Sequence, residues 1–165
     1  MVAHKKQLSL DANVVFDLAE GKDFAHEFRE IFQAKGYALV LPPTAAHELH
    51  VIFTDGEHEA ERELARTALT SLMQWGIRPF DLDSTSEAIG EQFVRGLLEL
   101  RLIPASEFND GLILAETSLA GIPLLVTSDK HLLDIDEEAL RLAFNEADLL
   151  PVHPAHPKNL LRALR

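Results

Sequence analysis

The chain has 165 residues, with 15 Lys+Arg against 27 Asp+Glu and a formal net charge of −12. With 47% hydrophobic and 25% charged residues it has the means to bury a core, which excludes a disordered chain, and its length excludes a two-domain enzyme. The lack of any cysteine excludes a disulfide framework, thiolate zinc sites and a Cys nucleophile. The acidic excess repels polyanions at long range, which at first sight sets nucleic acid aside as a partner. No stretch approaches the roughly 20 apolar residues of a membrane span, and Met1 to Gln7 is a basic lead without the apolar run of a signal peptide. A soluble, cytoplasmic protein with no membrane partner is expected.

Leu8-Ser9-Leu10 reads as a short strand with Asp11 at its carboxyl end, followed by a turn at Ala12-Asn13 and a helix from about Val14 to Ala19 that stops at Gly21. Phe24, Phe28, Ile31 and Phe32 recur at helical spacing until Gly36. Ala38 to Leu41 is apolar throughout, as a strand buried on both faces requires. Pro42-Pro43 ends it, and Thr44 is placed to cap a helix carrying Glu48. Residues 57–75 form a helical segment with Leu64, Ala68, Leu69 and Leu72 on one face, and Ile77 to Leu82 a short strand. Ser84 with Glu87 matches a capping box that opens a helix through Leu98. Ser106 is placed to cap another from about Glu107 to Ala120, closed by Gly121 and Pro123. Leu124 to Thr127 is a further buried strand, with Asp129 just beyond it. Glu137 to Ala147 is helical, Leu150 to Val152 is a final edge strand, and Pro157 to Leu164 is a closing helix. Strands that alternate with helices and lack polar alternation predict an α/β fold over residues 1–165, with a central parallel sheet flanked by helices on both faces.

In open parallel sheets, ligands bind beyond the carboxyl ends of the strands. Asp11 and Asp129 are predicted there, and right-handed crossovers bring the starts of the helices carrying Glu48 and Asp110 to the same rim. Four carboxylates gathered at one end of a fold repel one another, and a hard divalent cation relieves that repulsion. Oxygen donors of this kind suit Mg²⁺ or Mn²⁺, ions that act on phosphate esters by activating water. The residues themselves therefore point to metal-dependent phosphoryl or phosphodiester chemistry.

Leu10-Asp11-Ala12-Asn13-Val14-Val15, Glu48 after a Pro-rich turn, Asn109-Asp110-Gly111-Leu112-Ile113-Leu114-Ala115 and Val126-Thr127-Ser128-Asp129 resemble, in that order, the motifs of the PIN-domain nucleases. The tail, Pro151-Val152-His153-Pro154 and a short Leu-rich helix, resembles the family's usual ending, so the likeness covers nearly the whole chain as a single PIN-like domain. It implies a ribonuclease that hydrolyses RNA with one or two Mg²⁺ or Mn²⁺ ions held by Asp11, Glu48, Asp110 and Asp129. It also implies orienting roles for Asn13 and Thr127. Many small members are VapC-like toxins whose antitoxin occupies the active-site groove, and a homodimer is expected on the same ground. The pattern departs at His131, where the family often has another acid.

Lys130 and His131 beside Asp129 are the foremost candidates for substrate contact, with Lys5, Lys6, Lys158 and Arg162 as further ones. His47 and His50 flank Glu48 but are three apart, whereas a zinc-protease helix needs four, so a surface role is expected. Asp134 to Glu138 reads as a helix entrance, and the charge run from Asp55 to Glu63 as a solvated face. The absence of a Gly-x-Gly-x-x-Gly or Gly-Lys-Ser/Thr loop argues against a dinucleotide or nucleoside-triphosphate enzyme. Two readings stand beside each other: a metal-dependent endoribonuclease, and a PIN-like interaction module that keeps its acids without catalysis.

Overall fold

The computed structural model describes residues 6–164. Among them, five strands form one parallel sheet: β1 (Lys6–Leu10), β2 (Tyr37–Leu41), β3 (Ile77–Pro79), β4 (Leu124–Val126) and β5 (His153–Ala155), in the order β3-β2-β1-β4-β5. From β1 the chain steps outward through β2 to β3, then returns across the sheet to β4 and steps the other way to β5. With right-handed crossovers this puts the helices of the first half on one face and those of the second half on the other, as the apolar strands require. β1 and β4 are neighbours whose outgoing connections diverge, so the switch point of the sheet lies between them.

On the first face lie α1 (Ala12–Ala19), α2 (Asp23–Ala34), α3 (Pro43–Asp55) and α4 (Glu59–Ser71), with α1, α3 and α4 in mutual contact. On the second lie α5 (Ser84–Glu99), α6 (Phe108–Leu119), the short α7 (Lys130–Leu133) and α8 (Glu137–Glu146); α9 (Pro157–Ala163) returns to pack on α2. Leu8, Leu10, Leu39, Leu41 and Leu125 are buried in the sheet and form one continuous core with Phe28, Leu97, Ile113 and Phe144 from both layers. Ser9, fully buried on β1, bonds Thr117 on α6 at 2.8 Å between hydroxyls, and Thr117 donates onward to the Ile113 carbonyl at 2.7 Å. The charge run of α4 and its approach is exposed, and no described helix is long and apolar enough to cross a membrane.

Several element ends differ from the sequence expectation. α1 starts at Ala12 rather than Val14 because Asp11 itself caps it, through its carboxylate and the Ala12 N–H. α3 starts at Pro43, whose fixed φ and missing N–H suit a first helical position, so Thr44 is inside the helix and not its cap. Asp83, one residue ahead of Ser84, caps α5 by accepting from the Ser86 N–H at 2.7 Å. Ser106 lies in a 3-10 turn, Ala105–Glu107, that leads into α6 without a side-chain cap. β3 ends at Pro79 rather than Leu82. The last strand is His153–Ala155 rather than Leu150–Val152: the chain turns at Asp148 with φ of 58° and reaches β4 three residues later than the apolar run suggests. Pro154 is tolerated there because β5 is an edge strand. Asp136 caps α8 through the Ala139 N–H, in keeping with the helix entrance expected there.

Gly111 carries the closest approach of α6 to its neighbours. A Cβ there would lie 2.8 Å from Val94 Cγ1 and 2.9 Å from Ile103 Cδ1, whereas a Cβ at Gly90, facing α6 from α5, would meet Ala115 Cβ at an ordinary 3.5 Å. Gly→Ala inside a helix gains ~1 kcal/mol of propensity, while overpacking a stiff Val costs ~1–3 kcal/mol. Gly90→Ala is therefore expected to raise the unfolding midpoint, and Gly111→Ala to lower it, in parallel denaturant titrations.

Candidate metal centre

The site is built where β1 and β4 end side by side. Leu10 pairs with Val126, so Asp11 and Thr127 emerge as the next rung, and the Asp11 N–H donates to the Val126 carbonyl at 2.9 Å. Asp11 is only 2% exposed and is gripped on both carboxylate oxygens. Oδ1 accepts from the Ala12 N–H at 2.7 Å, and Oδ2 accepts from Thr127 Oγ1 at 2.8 Å and Asn13 Nδ2 at 3.2 Å. Asn13 Oδ1 takes the Ser128 N–H at 3.1 Å, and Thr127 Oγ1 takes the Asp129 N–H at 3.0 Å. Asp129 in turn caps α7 through the His131 N–H at 2.8 Å. Asn13 and Thr127 thus tie the loop after β1 to the loop after β4 and fix the orientation of both acids.

Asp110, on the first turn of α6, completes the group: it, Asp11 and Asp129 each offer an oxygen within 4.8 Å of the others. Asp110 is buried and its Oδ2 has no hydrogen-bond partner, a state that costs free energy unless a cation or proton occupies it. Glu48 stands outside this tight triad but lines the same cleft of about 370 Å³, together with Asn13, Asn109 and Glu107. Its position depends on an acid from another helix. Glu116 on α6 is buried and accepts from the Thr44 N–H at 3.0 Å and from Thr44 Oγ1 at 2.6 Å, one turn ahead of Glu48. It satisfies an otherwise orphaned N–H of α3 and fixes that helix end over the rim.

The electrostatics reflect this crowding. Burial pushes the Asp11 carboxyl up to about 6, partly offset by its hydrogen bonds to Thr127 and Ala12, with the charge of Asp129 adding to the rise. Burial pushes Glu48 up to about 7, with Asp11, Asp129, Glu107 and Glu116 adding repulsion. Asp110 is raised furthest, by burial and by the carboxyls of Glu107 and Asp129 against it. Among the described residues no Lys or Arg pairs with Asp11, Glu48, Asp110 or Asp129. An all-oxygen donor set, mutual repulsion without a basic partner and a buried unpaired oxygen fit a hard divalent cation.

The other candidates fall in different places. His131, 58% exposed in its side chain, reaches Glu107 with Nε2 3.6 Å from Oε1. Lys130 opens α7 beside Asp129 but is exposed and does not line the cleft. Lys6 begins β1, at the end of the sheet opposite Asp11, over the Tyr37 ring at 5.6 Å. Lys5 lies outside the described residues. Lys158 covers the Phe24 ring at 4.9 Å and Arg162 bonds Asn159 on α9, away from the triad. His47 and His50 are both exposed on α3. Glu107 and Glu116 are the residues that sequence reasoning missed. Glu107 was hidden as an ordinary first-turn acid, while Glu116 carried a signal, a carboxylate within the apolar run of a buried helix.

A parallel sheet with three aspartates converging at its switch point defines a class of acidic, metal-binding α/β site. Residues 8–138 match the PIN domain, and the chain belongs to that family. Its fold is similar to solved structures of VapBC2 from Rickettsia felis bound to a DNA fragment from their promoter, with 14% identity, 91% of this chain and 98% of that chain covered, and a TM-score of 0.63. It is also similar to FitAcB from Neisseria gonorrhoeae (18% identity, 91% and 97% covered, TM-score 0.56) and to FitAB bound to IR36 DNA (17% identity, 91% and 94% covered, TM-score 0.56). No curated protein sequence matches the chain.

Two measurements follow from the geometry. A carboxyl whose pKa is raised on folding holds its proton longer in the native state, so its stabilisation is complete below the unfolded value and is lost as pH rises through the folded one. For Asp11 the window runs from 3.8 to about 6 and for Glu48 from 4.5 to about 7. The Asp11 shift alone corresponds to about 3 kcal/mol. The metal-free protein should melt on the order of 5 °C higher at pH 5 than at pH 7.5, and Glu48→Gln should narrow that difference by raising the pH 7.5 value. Glu116→Ala should lower the melting temperature by several degrees, through a lost helix-end acceptor worth ~1–2 kcal/mol, with Glu116→Gln intermediate.

Proposed function

We propose that this protein is a metal-dependent endoribonuclease, with Asp11, Asp110 and Asp129 as the ligands of Mg²⁺ or Mn²⁺ and Glu48 acting from the wall of the same cleft. The observation that carries the proposal is the convergence of three aspartate oxygens around the buried, unpaired Oδ2 of Asp110. PIN domains are generally nucleases, and the likeness of the sequence motifs to the RNA-cleaving members supports RNA as the substrate. When bound, the ion would lower the pKa of a water molecule and offset the charge on the scissile phosphate. Asp11, held on both oxygens, and Asp129, held at the N-terminus of α7, keep their carboxylates in place without reorganisation during the reaction. Glu48, half-buried on the cleft wall and raised toward neutrality, would orient a water molecule and take its proton. Lys130 and His131, on the turn after Asp129, would meet the substrate backbone at the rim.

We further propose that the protein works as the toxin of a toxin–antitoxin pair and forms a homodimer. The similarity of its fold to VapBC2 and FitAB, which were solved with DNA, supports the pairing. A chain of net charge −12 is poorly suited to hold DNA itself, so in such an assembly the DNA contact would fall to a basic partner docked on the acidic surface.

The test is cleavage of single-stranded and hairpin RNA, and of DNA of the same sequence, with Mn²⁺ or Mg²⁺ and with chelator. RNA should be cut only with metal, and Asp11→Asn and Asp129→Asn should each lose more than the ~10–100-fold that removal of an outer-sphere partner costs. Full activity in both variants would refute the site. Inactivity on every RNA without metal binding by calorimetry would favour the interaction-module reading.

A further inference from the structure

A second cavity, of about 280 Å³, adjoins the metal cleft between the first turns of α3, α5 and α6. His47 from α3, Glu87 and Glu91 from α5, and Asn109 and Leu112 from α6 line it. Asn109 lines both spaces, and the successive residues His47 and Glu48 line one each, so the two are neighbours along one strand of ligand. Glu116 also borders the cavity, but both its carboxylate oxygens are taken by Thr44. The Glu87 carboxylate is open. Asp83 has taken over the cap of α5 that the Ser84–Glu87 spacing suggests, and among the described residues no ion pair holds Glu87 or Glu91. These acids are not a further ion site, because the metal-sized group among the described residues is Asp11, Asp110 and Asp129.

We infer that this cavity is the base-recognition subsite of the nuclease and takes a guanine of the RNA strand, with Glu87 accepting from its N1–H and N2–H and the His47 imidazole against its ring. The inference rests on the ribonuclease reading above and gives it a sequence preference. Charge divides the nucleotide between the two spaces. No Lys or Arg lines the cavity, so its carboxylates repel a phosphate, which the metal-loaded cleft next door attracts. What suits the cavity is an uncharged group that donates. Guanine presents two adjacent donors that one carboxylate accepts together, whereas adenine and cytosine each set a single amino group beside an acceptor, and uracil sets its N–H between two carbonyls. Unstacked bases of single-stranded RNA are read in this way, on their Watson–Crick edges and with a ring such as histidine against the face. The volume lies at the foot of the ~300–1,000 Å³ range of ligand pockets, which suits one base and excludes a duplex.

The test is Mn²⁺-dependent cutting of a randomised single-stranded RNA pool by the full chain, with the new ends sequenced. An oligonucleotide cut in that pool is then made with guanosine or inosine at the preferred position. Wild type should place guanosine at one fixed position beside the cut, and inosine, which lacks the N2 amino group, should lower kcat/KM about 10-fold or more. Glu87→Gln should lose both the guanosine preference and the discrimination against inosine, and His47→Ala should raise KM for both oligonucleotides alike. With metal chelated, free guanosine should shift the His47 imidazole resonances of the wild-type chain, and spermine should not. Cutting without base preference, or a guanosine preference that persists in Glu87→Gln, overturns the subsite and leaves the ribonuclease reading standing. Shifts of His47 with spermine in place of guanosine assign the cavity to a cation and overturn it as well. A pool left uncut overturns the ribonuclease reading and the subsite with it.

Discussion

The mutual repulsion of carboxylates gathered at the switch point between β1 and β4 governs this structure. Asp11, Asp110 and Asp129 approach within coordination range of one another, Glu48 and Glu107 share their cleft, and no basic side chain among the described residues neutralises the triad. Left to themselves such groups would splay or take up protons, and the raised pKa values of Asp11, Glu48 and Asp110, set first by burial and then by their neighbours, express the second outcome. Everything around them works against the first. Asp11 is clamped by Thr127, Asn13 and its own helix start, Asp129 is held by Thr127 and the turn of α7, and Asp110 is carried on a buried helix that Gly111 allows to press close. The fold stores an unfavourable arrangement of charge, and a cation is the agent that makes it favourable.

Support for the site reaches well beyond the residues that would touch an ion. Glu116 spends its carboxylate on the start of α3, the helix that carries Glu48, so one face of the sheet positions a group over the other. Ser9 and Thr117 bridge β1 to α6 beneath the cleft, which links the strand that presents Asp11 to the helix that presents Asp110. These buried polar contacts are satisfied in pairs, as a rigid polar network demands.

The strands and the four acids were legible in the sequence for a simple reason. Apolar runs such as Ala38 to Leu41 leave no alternative to a doubly covered strand, and an acid just past such a run falls on the rim that binds ligands. Helix starts were less legible, because Thr44, Ser84 and Ser106 all have capping chemistry while the chain caps with Asp83, with Pro43 as a first residue, or not at all. Capping is decided by backbone direction, which the neighbouring prolines and the 3-10 turn set. β5 was displaced because Leu149, Leu150 and Val152 look more like a strand than His153-Pro154-Ala155 does, and only pairing to β4 selects the latter. Glu107 and Glu116 were not legible as site elements because their roles are defined by contacts across the fold, to His131 and to Thr44, which no local pattern encodes.

The position of β4 has a consequence for how the chain comes to be competent. Asp11 and Thr127 are 116 residues apart, yet they leave the neighbouring ends of β1 and β4 side by side. During synthesis β1 meets β2, which β3 then joins, and the other edge of β1 stays open until β4 has been made. The constellation of acids is therefore completed only by one long-range insertion that carries a high loop-closure entropy. A nascent or truncated chain holds Asp11 and Glu48 but has no second wall to set them against. Whatever chemistry the cleft performs is withheld until translation has passed the fourth strand, a timing device written into topology.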